Sequence, residues 1–238
     1  MPIGTPFHSR TSALCTGRNW RTWSGYLVAS SYDVVHDYEY HAIRNSAALI
    51  DVSPLFKYDV RGRDALSLVN RVITRDAGKC AIGQAIYTCL CDNHGKVIQD
   101  GTVFRLAEDH FRFHLAEPSL RWLYLNAVNL EVKIDDVSEQ IAALALQGPN
   151  SLRILQQVTD AVLGKLRFFR LLTAKLGATP AFVSSRSGNR PVRYATASAP
   201  SRWVSPSRST RRISASSAAM ALRAFAGFVP MPTWNGPG

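Results

Sequence analysis

The 238-residue chain lacks any stretch of about 18 consecutive apolar residues, so the sequence predicts no membrane-spanning helix and no membrane partner. Met1 to Ser12 carries no hydrophobic signal segment, which leads to the expectation of a cytoplasmic protein. Cysteine is scarce: Cys15, Cys80, Cys89 and Cys91 are too few and too irregularly spaced for a disulfide scaffold, which fits a reducing compartment. Gly62, Gly78 and Gly83 match neither dinucleotide-loop nor phosphate-loop spacing, and no Gly-x-Ser-x-Gly nucleophile elbow is present. Cys89, Cys91 and His94 offer three soft ligands but no fourth, so they do not complete a closed zinc pattern.

Lysine, aspartate and glutamate are all missing from Ser187 to Gly238, where seven arginines stand among Ser, Ala and Pro. The formal charge of +11 is therefore concentrated there, because the rest of the chain sets 21 basic residues against 17 acidic ones. Arms that neutralise nucleic-acid phosphates usually mix lysine with arginine, so no nucleic-acid partner is expected. The composition resembles a GC-rich gene read out of frame, and a natural disordered tail is the alternative. Both lead to the expectation that 188–238 is disordered and plays no part in function.

What the chain does have is a hairpin pattern from Gly83 to Leu106, two apolar-rich runs around the polar turn Asp92-Asn93-His94-Gly95. The second run contains Asp100-Gly101, two residues that weaken a strand. A carboxylate held there, beside Ile98 and Val103, can transfer a proton or bind a ring N–H, with Gly101 leaving room for a ligand. The same residues also read as a bulged strand with a solvent-facing Asp. Tyr87, on the other arm, can stack on a flat ligand or simply belong to the core.

Elsewhere, Met1 to Tyr32 reads as an irregular arm. A helix is expected from Ser31 or Asp33 to Asn45, and a strand ending at Val60, where Phe56, Tyr58 and Val60 alternate with Leu55, Lys57 and Asp59. Asp64 opens a helix with Leu66, Leu68, Val69 and Val72. Phe111 to Leu115, Val128 to Ile134 and Ile141 to Leu146 read as strands, whereas Pro118–Leu125, Asn150–Val158 and Leu166–Leu176 read as helices. His110 and His114 read as a solvated pair, and Arg44 and Arg61 as possible anion contacts. Strands, hairpins and helices in this mixture predict an α+β fold of antiparallel sheets with packed helices.

Taken together, these segments resemble the N-terminal, folate-binding part of the glycine cleavage T-protein (aminomethyltransferase) family. The resemblance is carried by Thr5-Pro6-Phe7-His8, Glu39-Tyr40, Ala42-Ile43-Arg44, Asp51-Val52-Ser53 and Gly62-Arg63-Asp64-Ala65. It continues through Gly83 to Tyr87, Gly95 to Val103, Arg105 to Asp109 and Ala145 to Pro149, and it covers about Thr5 to Ser187. It implies a first part of a folate-binding domain over 1–135 and an incomplete second subdomain over 136–187. The activity implied is transfer of an aminomethyl group from a lipoyl-bearing H-protein to tetrahydrofolate, with release of ammonia.

By the same resemblance Asp100 takes the catalytic position, Tyr87 a pterin-site position and Leu55 an apolar wall, while Gln99 replaces the first Asp of the family's Asp-Asp pair. Pro54-Leu55-Phe56-Lys57-Tyr58 and Glu117 to Trp122 look more like folate-dependent demethylase paralogues. After Ser185-Arg186-Ser187-Gly188 the resemblance stops, so a truncated, non-catalytic folate-binding fragment is the third reading, and the H-protein partnership is in doubt.

Overall fold

A computed structural model of the chain describes residues 1–185 in full and the strand Arg193–Pro200 through its backbone. The chain opens with β1 (Ile3–Gly4), α1 (His8–Thr11), β2 (Asn19–Trp23) and β3 (Tyr26–Ser31). Next come α2 (Asp37–Asn45), β4 (Ala48–Asp51), β5 (Phe56–Arg61) and α3 (Ala65–Val72). The hairpin arms are β6 (Gln84–Cys91) and β7 (Val97–Ala107), followed by β8 (His110–Leu115), α4 (Leu120–Asn126) and β9 (Lys133–Asp136). The last elements are β10 (Ile141–Gly148), α5 (Ser151–Gln156), β11 (Leu171–Leu176), β12 (Thr179–Ser185) and β13 (Arg193–Pro200).

These strands form a three-stranded sheet, order β1-β3-β2, and two five-stranded sheets. The hairpin sheet has the order β6-β7-β8-β5-β9, and its companion the order β11-β12-β13-β10-β4. Every pairing within the two large sheets is antiparallel, in keeping with the α+β expectation. The chain crosses from one large sheet to the other twice, outward through residues 52–55 and back through residues 137–140.

Alternation along the hairpin sheet's strands decides where the main core lies. Tyr58, Val60, Phe111, Phe113, Leu115, Val103, Ile86 and Leu90 share one face. Leu68, Val69 and Val72 of α3 and Leu123 of α4 cover it. Burying side chains of this size is worth roughly 1.5–3 kcal/mol each. A second cluster, around Ala47, Leu146, Leu155, Leu163, Ala174 and Val183, supports the companion sheet.

Four expectations are corrected. The N-terminal segment is not an irregular arm, because Ser24 (φ 47°) and Gly25 (φ 83°) make a two-residue turn that pairs β2 with β3. The following helix starts only at Asp37, because β3 continues to Ser31, and the buried Glu39 accepts hydrogen bonds from Tyr32 N (2.6 Å) and Asp33 N (3.4 Å). Leu166–Leu176 contains a strand rather than a helix: in β11 Ala174 is buried between exposed Thr173 and Lys175, a period of two. Disorder from 188 onward does not describe Arg193–Pro200, whose backbone pairs with β10 on one side and β12 on the other. Its Tyr-Ala-Thr-Ala-Ser-Ala alternation is compatible with a strand, whereas the composition argument averaged over the whole tail. The remainder of that expectation, 188–192 and 201–238, lies outside the described residues.

Candidate functional site

The expected hairpin is present, closed by a turn whose backbone is organised by Asp92. Its carboxylate oxygen accepts from His94 N and Lys96 N, both at 2.9 Å, and Gly95 takes the φ of +77° that the turn requires. The arms pair with Tyr87 opposite Thr102 and Cys89 opposite Asp100. Tyr87 and Asp100 are therefore diagonal neighbours on one face of the sheet, about 7–8 Å apart by the geometry of such pairs. Both are solvent-exposed, Tyr87 at 43%. This face is opposite the helix-covered core.

The neighbours of Asp100 in sequence serve the other face. Gln99 is buried, and its amide accepts from Glu117 N (3.0 Å) and donates to Glu117 O (3.2 Å) and to Ser119 Oγ. It pins the loop before α4, so the Gln at this position does not alter the surroundings of the Asp100 carboxylate. Gly101 does not make room for a ligand. A Cβ there would overlap Leu115 Cδ2 and the His114 carbonyl oxygen, so its role is the close approach of β8.

Leu55 lies on the outward crossing, half-buried against the cluster of Ile50, Val52, Ala143 and Ala145. Phe56 pairs with Leu115, and Leu115 with Gly101. The strand begins only at Phe56, so Leu55 precedes it in the turn of the crossing, where its N–H donates to Val52 O. Of the three residues singled out from sequence, Tyr87 and Asp100 share one sheet and one face, whereas Leu55 lies outside the strands, on the crossing and against the cluster of the companion sheet.

The same face carries a charged network that sequence reading missed. The Asp59 carboxylate is held by Arg112 through Nε (2.6 Å) and Nη2 (2.9 Å), and by Arg61 Nη2 (2.6 Å), with His110 Nε2 at 3.2 Å. Burial raises the pKa of Asp59, but the bonds from Arg112 and His110 outweigh it and hold the carboxyl well below the usual range. His114 is buried, tilted against the Phe104 ring at 4.8 Å, rather than solvated. Arg61 is committed to Asp59 and Asp135, and Arg44 lies over the Tyr40 ring at 5.9 Å. Lys57 is fully buried and donates to Ser53 O (2.8 Å) and Leu55 O (2.7 Å). Burial lowers its pKa to about 8, opposed by Asp51 and Asp136 and assisted by Arg112.

The available signal was the alternation of Lys57, Asp59 and Arg61 with apolar residues, and of Arg112 and His114 with Phe111 and Phe113. This second face is covered where Phe182 of β12 meets Arg112, whose guanidinium carbon is 5.8 Å from the ring centroid. A cleft of about 770 Å³ opens beside it, lined by Asp59, Arg61, Arg112, Tyr124, Asp135 and Phe182 among others. The face is closed by charge at β5 and β8, stays buried at Ala85, Thr102 and Phe104 of the hairpin, and is exposed at Tyr87 and Asp100. Such an arrangement can present a flat ligand with an aromatic platform and a carboxylate acceptor at the open end.

Comparison with known proteins agrees with the fold. An aminomethyltransferase of Thermoanaerobacter sp. (strain X514) is 36% identical over 135 residues, 55% of this chain and 37% of that protein. One from Lysinibacillus sphaericus (strain C3-41) is 34% identical over 152 residues, 62% of this chain and 41% of that protein. The matched stretch thus spans about two-fifths of these relatives. The crystal structure of glycine cleavage system aminomethyltransferase T from Bartonella henselae superposes with a TM-score of 0.72 at 21% identity, covering 84% of this chain and 54% of that one. The heterotetrameric sarcosine oxidase from Corynebacterium sp. U-96 follows with a TM-score of 0.54 at 15% identity, covering 83% and 86%. Both structural likenesses concern the fold alone. The model of the GCVT N-terminal domain matches residues 8–188, and the chain belongs to that family.

Proposed function

We propose that the chain binds tetrahydrofolate on the open face of the hairpin sheet and serves one-carbon transfer of the aminomethyltransferase type. The observation that carries this reading is the pairing of an exposed aromatic ring, Tyr87, with an exposed carboxylate, Asp100, diagonal to each other on one face. A pterin is flat and bears N–H groups, so it needs a surface to pack on and an acceptor within reach. These residues fit both needs. When bound, tetrahydrofolate supplies the nitrogen that accepts the one-carbon unit.

Asp100 accepts a hydrogen bond from the pterin-side nitrogens and assists proton movement at its carboxylate oxygens. Tyr87 packs on the ring and fixes its plane, while Leu55 closes the apolar side and excludes water there. A lipoyl-bearing H-protein is the donor this reading favours, and a folate-dependent demethylase chemistry at the same site is its alternative. The four free cysteines are consistent with a reducing, cytoplasmic setting. A second reading, folate binding without turnover, is favoured by the exposure of Asp100, since proton transfer profits from a water-excluded site.

Titration calorimetry of the 238-residue chain with tetrahydrofolate tests the reading. Saturable heat, weakened by Tyr87→Ala, is expected, whereas no heat at millimolar ligand overturns both forms of it. If binding is intact and turnover with an aminomethyl-lipoyl donor is present, Asp100→Asn is expected to abolish the turnover. Unchanged turnover in that variant contradicts the catalytic assignment.

A further inference from the structure

Lys57 stands where the two large sheets are joined. Its main chain belongs to β5, and there its N–H donates to Ser138 Oγ (2.9 Å) while its carbonyl accepts from Val137 N (2.9 Å), both on the return crossing. Its side chain reaches the outward crossing, where the ammonium donates to the carbonyls of Ser53 and Leu55 at 2.8 and 2.7 Å. Ser53 is tied in turn to β10, accepting from Ala143 N (3.1 Å) and donating to Ala143 O (3.4 Å). Asp51 accepts from Ser53 N (3.0 Å) and from the Thr5 hydroxyl.

A fully buried ammonium is costly unless its donors are used, and here two of them hold the backbone of a four-residue crossing. Charge-assisted bonds of this kind are about twice as strong as neutral ones. The residue they hold in place is Leu55. We propose that Lys57 is a positioning residue for the ligand site, fixing through the Ser53 and Leu55 carbonyls the place of the Leu55 side chain on the crossing. This inference rests on the reading in which Leu55 lines the folate pocket.

Around the ammonium, Asp51 from β4 and Asp136 from β9 favour the charged form and Arg112 from β8 opposes it, while His114 of β8 pairs opposite Lys57 and Asp59 follows two residues along its own strand on the same face. Loss of its charge as pH rises through about 8 leaves the amine its N–H groups but removes the charge assistance. The affinity for tetrahydrofolate is therefore expected to weaken above that pH in the wild-type chain.

The test compares the full wild-type chain with Lys57→Met, Leu55→Ala and the double variant, by tetrahydrofolate calorimetry from pH 6.5 to 9.5 and by amide hydrogen exchange. Misplacement of a contact residue by an ångström costs up to about a hundredfold. Lys57→Met is expected to raise Kd about tenfold at pH 7, to flatten the pH profile, and to add nothing once Leu55 is alanine. A lowered Tm with unchanged Kd, or fully additive effects of the two substitutions, overturns the proposal. If the wild type binds no tetrahydrofolate, the folate reading falls and exchange alone decides about the clamp. Faster exchange at Leu55 and Ala143 than at Val103 and Phe113 in Lys57→Met then supports it, and equal protection contradicts it. If Lys57→Met does not fold, the wild type decides: protection at Leu55 and Ala143 must fall above pH 8, and constant protection refutes the proposal.

Discussion

The two faces of the hairpin sheet come from the same strands, yet they are closed by different means. One is sealed by hydrocarbon, with Phe111, Phe113, Leu115 and Val103 beneath α3 and α4. The other is held together at β5 and β8 by the Asp59–Arg112–Arg61 network and Lys57, and it is left open at Tyr87 of β6 and Asp100 of β7. Under the proposed reading, the contrast separates stability from ligand binding within a single sheet. Substitutions on the first face should act on folding, and those at the open end of the second should act on the ligand.

The largest effect is expected on the hydrocarbon face. Phe113→Ala should cost about 3–5 kcal/mol, read as a lower urea midpoint at unchanged slope. On the charged face, Arg112→Met leaves the buried Asp59 carboxylate without its bidentate partner and should cost on the order of 3 kcal/mol. A comparable loss in both variants keeps the picture of two equally buried faces at β5 and β8, whereas a negligible Arg112 effect breaks it.

The same network has a pH signature. Asp59 has a folded pKa below its unfolded value, so its contribution is fully present above the usual carboxylate range and is lost as pH falls below that range. Acid unfolding of Asp59→Asn should therefore show a shallower limb below pH about 4 than the wild type. Identical limbs would mean that the network does not stabilise the fold.

A smaller effect distinguishes the two residues of the Asp100-Gly101 pair. Gly101→Ala should cost about 1–3 kcal/mol, since its new methyl must displace Leu115 or the β8 backbone on the core side. Asp100→Asn, on the exposed side of the same strand, should change stability by no more than about 0.5 kcal/mol. Thermal unfolding of both variants checks the pair.

The sequence shows why one half of this contrast was legible and the other was not. The hairpin announced itself through Asp92 and Gly95 between two apolar runs, and the core face through the period-two spacing of Phe56, Tyr58 and Val60. The α3 stripe was readable for the same reason. His110 and His114 read as a solvated pair, and no cover over Lys57 or Arg112 is legible, because alternation separates two faces but does not tell what covers the second. That cover comes from β12, far along the chain, a contact no local pattern contains. The β2–β3 turn was missed although Ser24-Gly25 is a turn signal, since its flanking strands carry Asn, Arg and Thr rather than an apolar alternation. Around β11, Arg167 and Arg170 before the strand and Lys175 within it masked the period of two. Asp100 was found from an oddity, a carboxylate beside glycine within a strand, but its two residues turned out to face opposite sides.

The central claim, that the open face binds tetrahydrofolate through Tyr87 and Asp100 without these residues supporting the fold, is tested most directly by thermal unfolding with and without the ligand. A ligand at a hundredfold excess over its Kd stabilises the chain by about 2.7 kcal/mol. The account predicts a ligand-induced rise in Tm for the wild type, and for Tyr87→Ala and Asp100→Asn an unchanged unliganded Tm with most of that rise lost. A full rise in both variants, or no rise in the wild type, would contradict it.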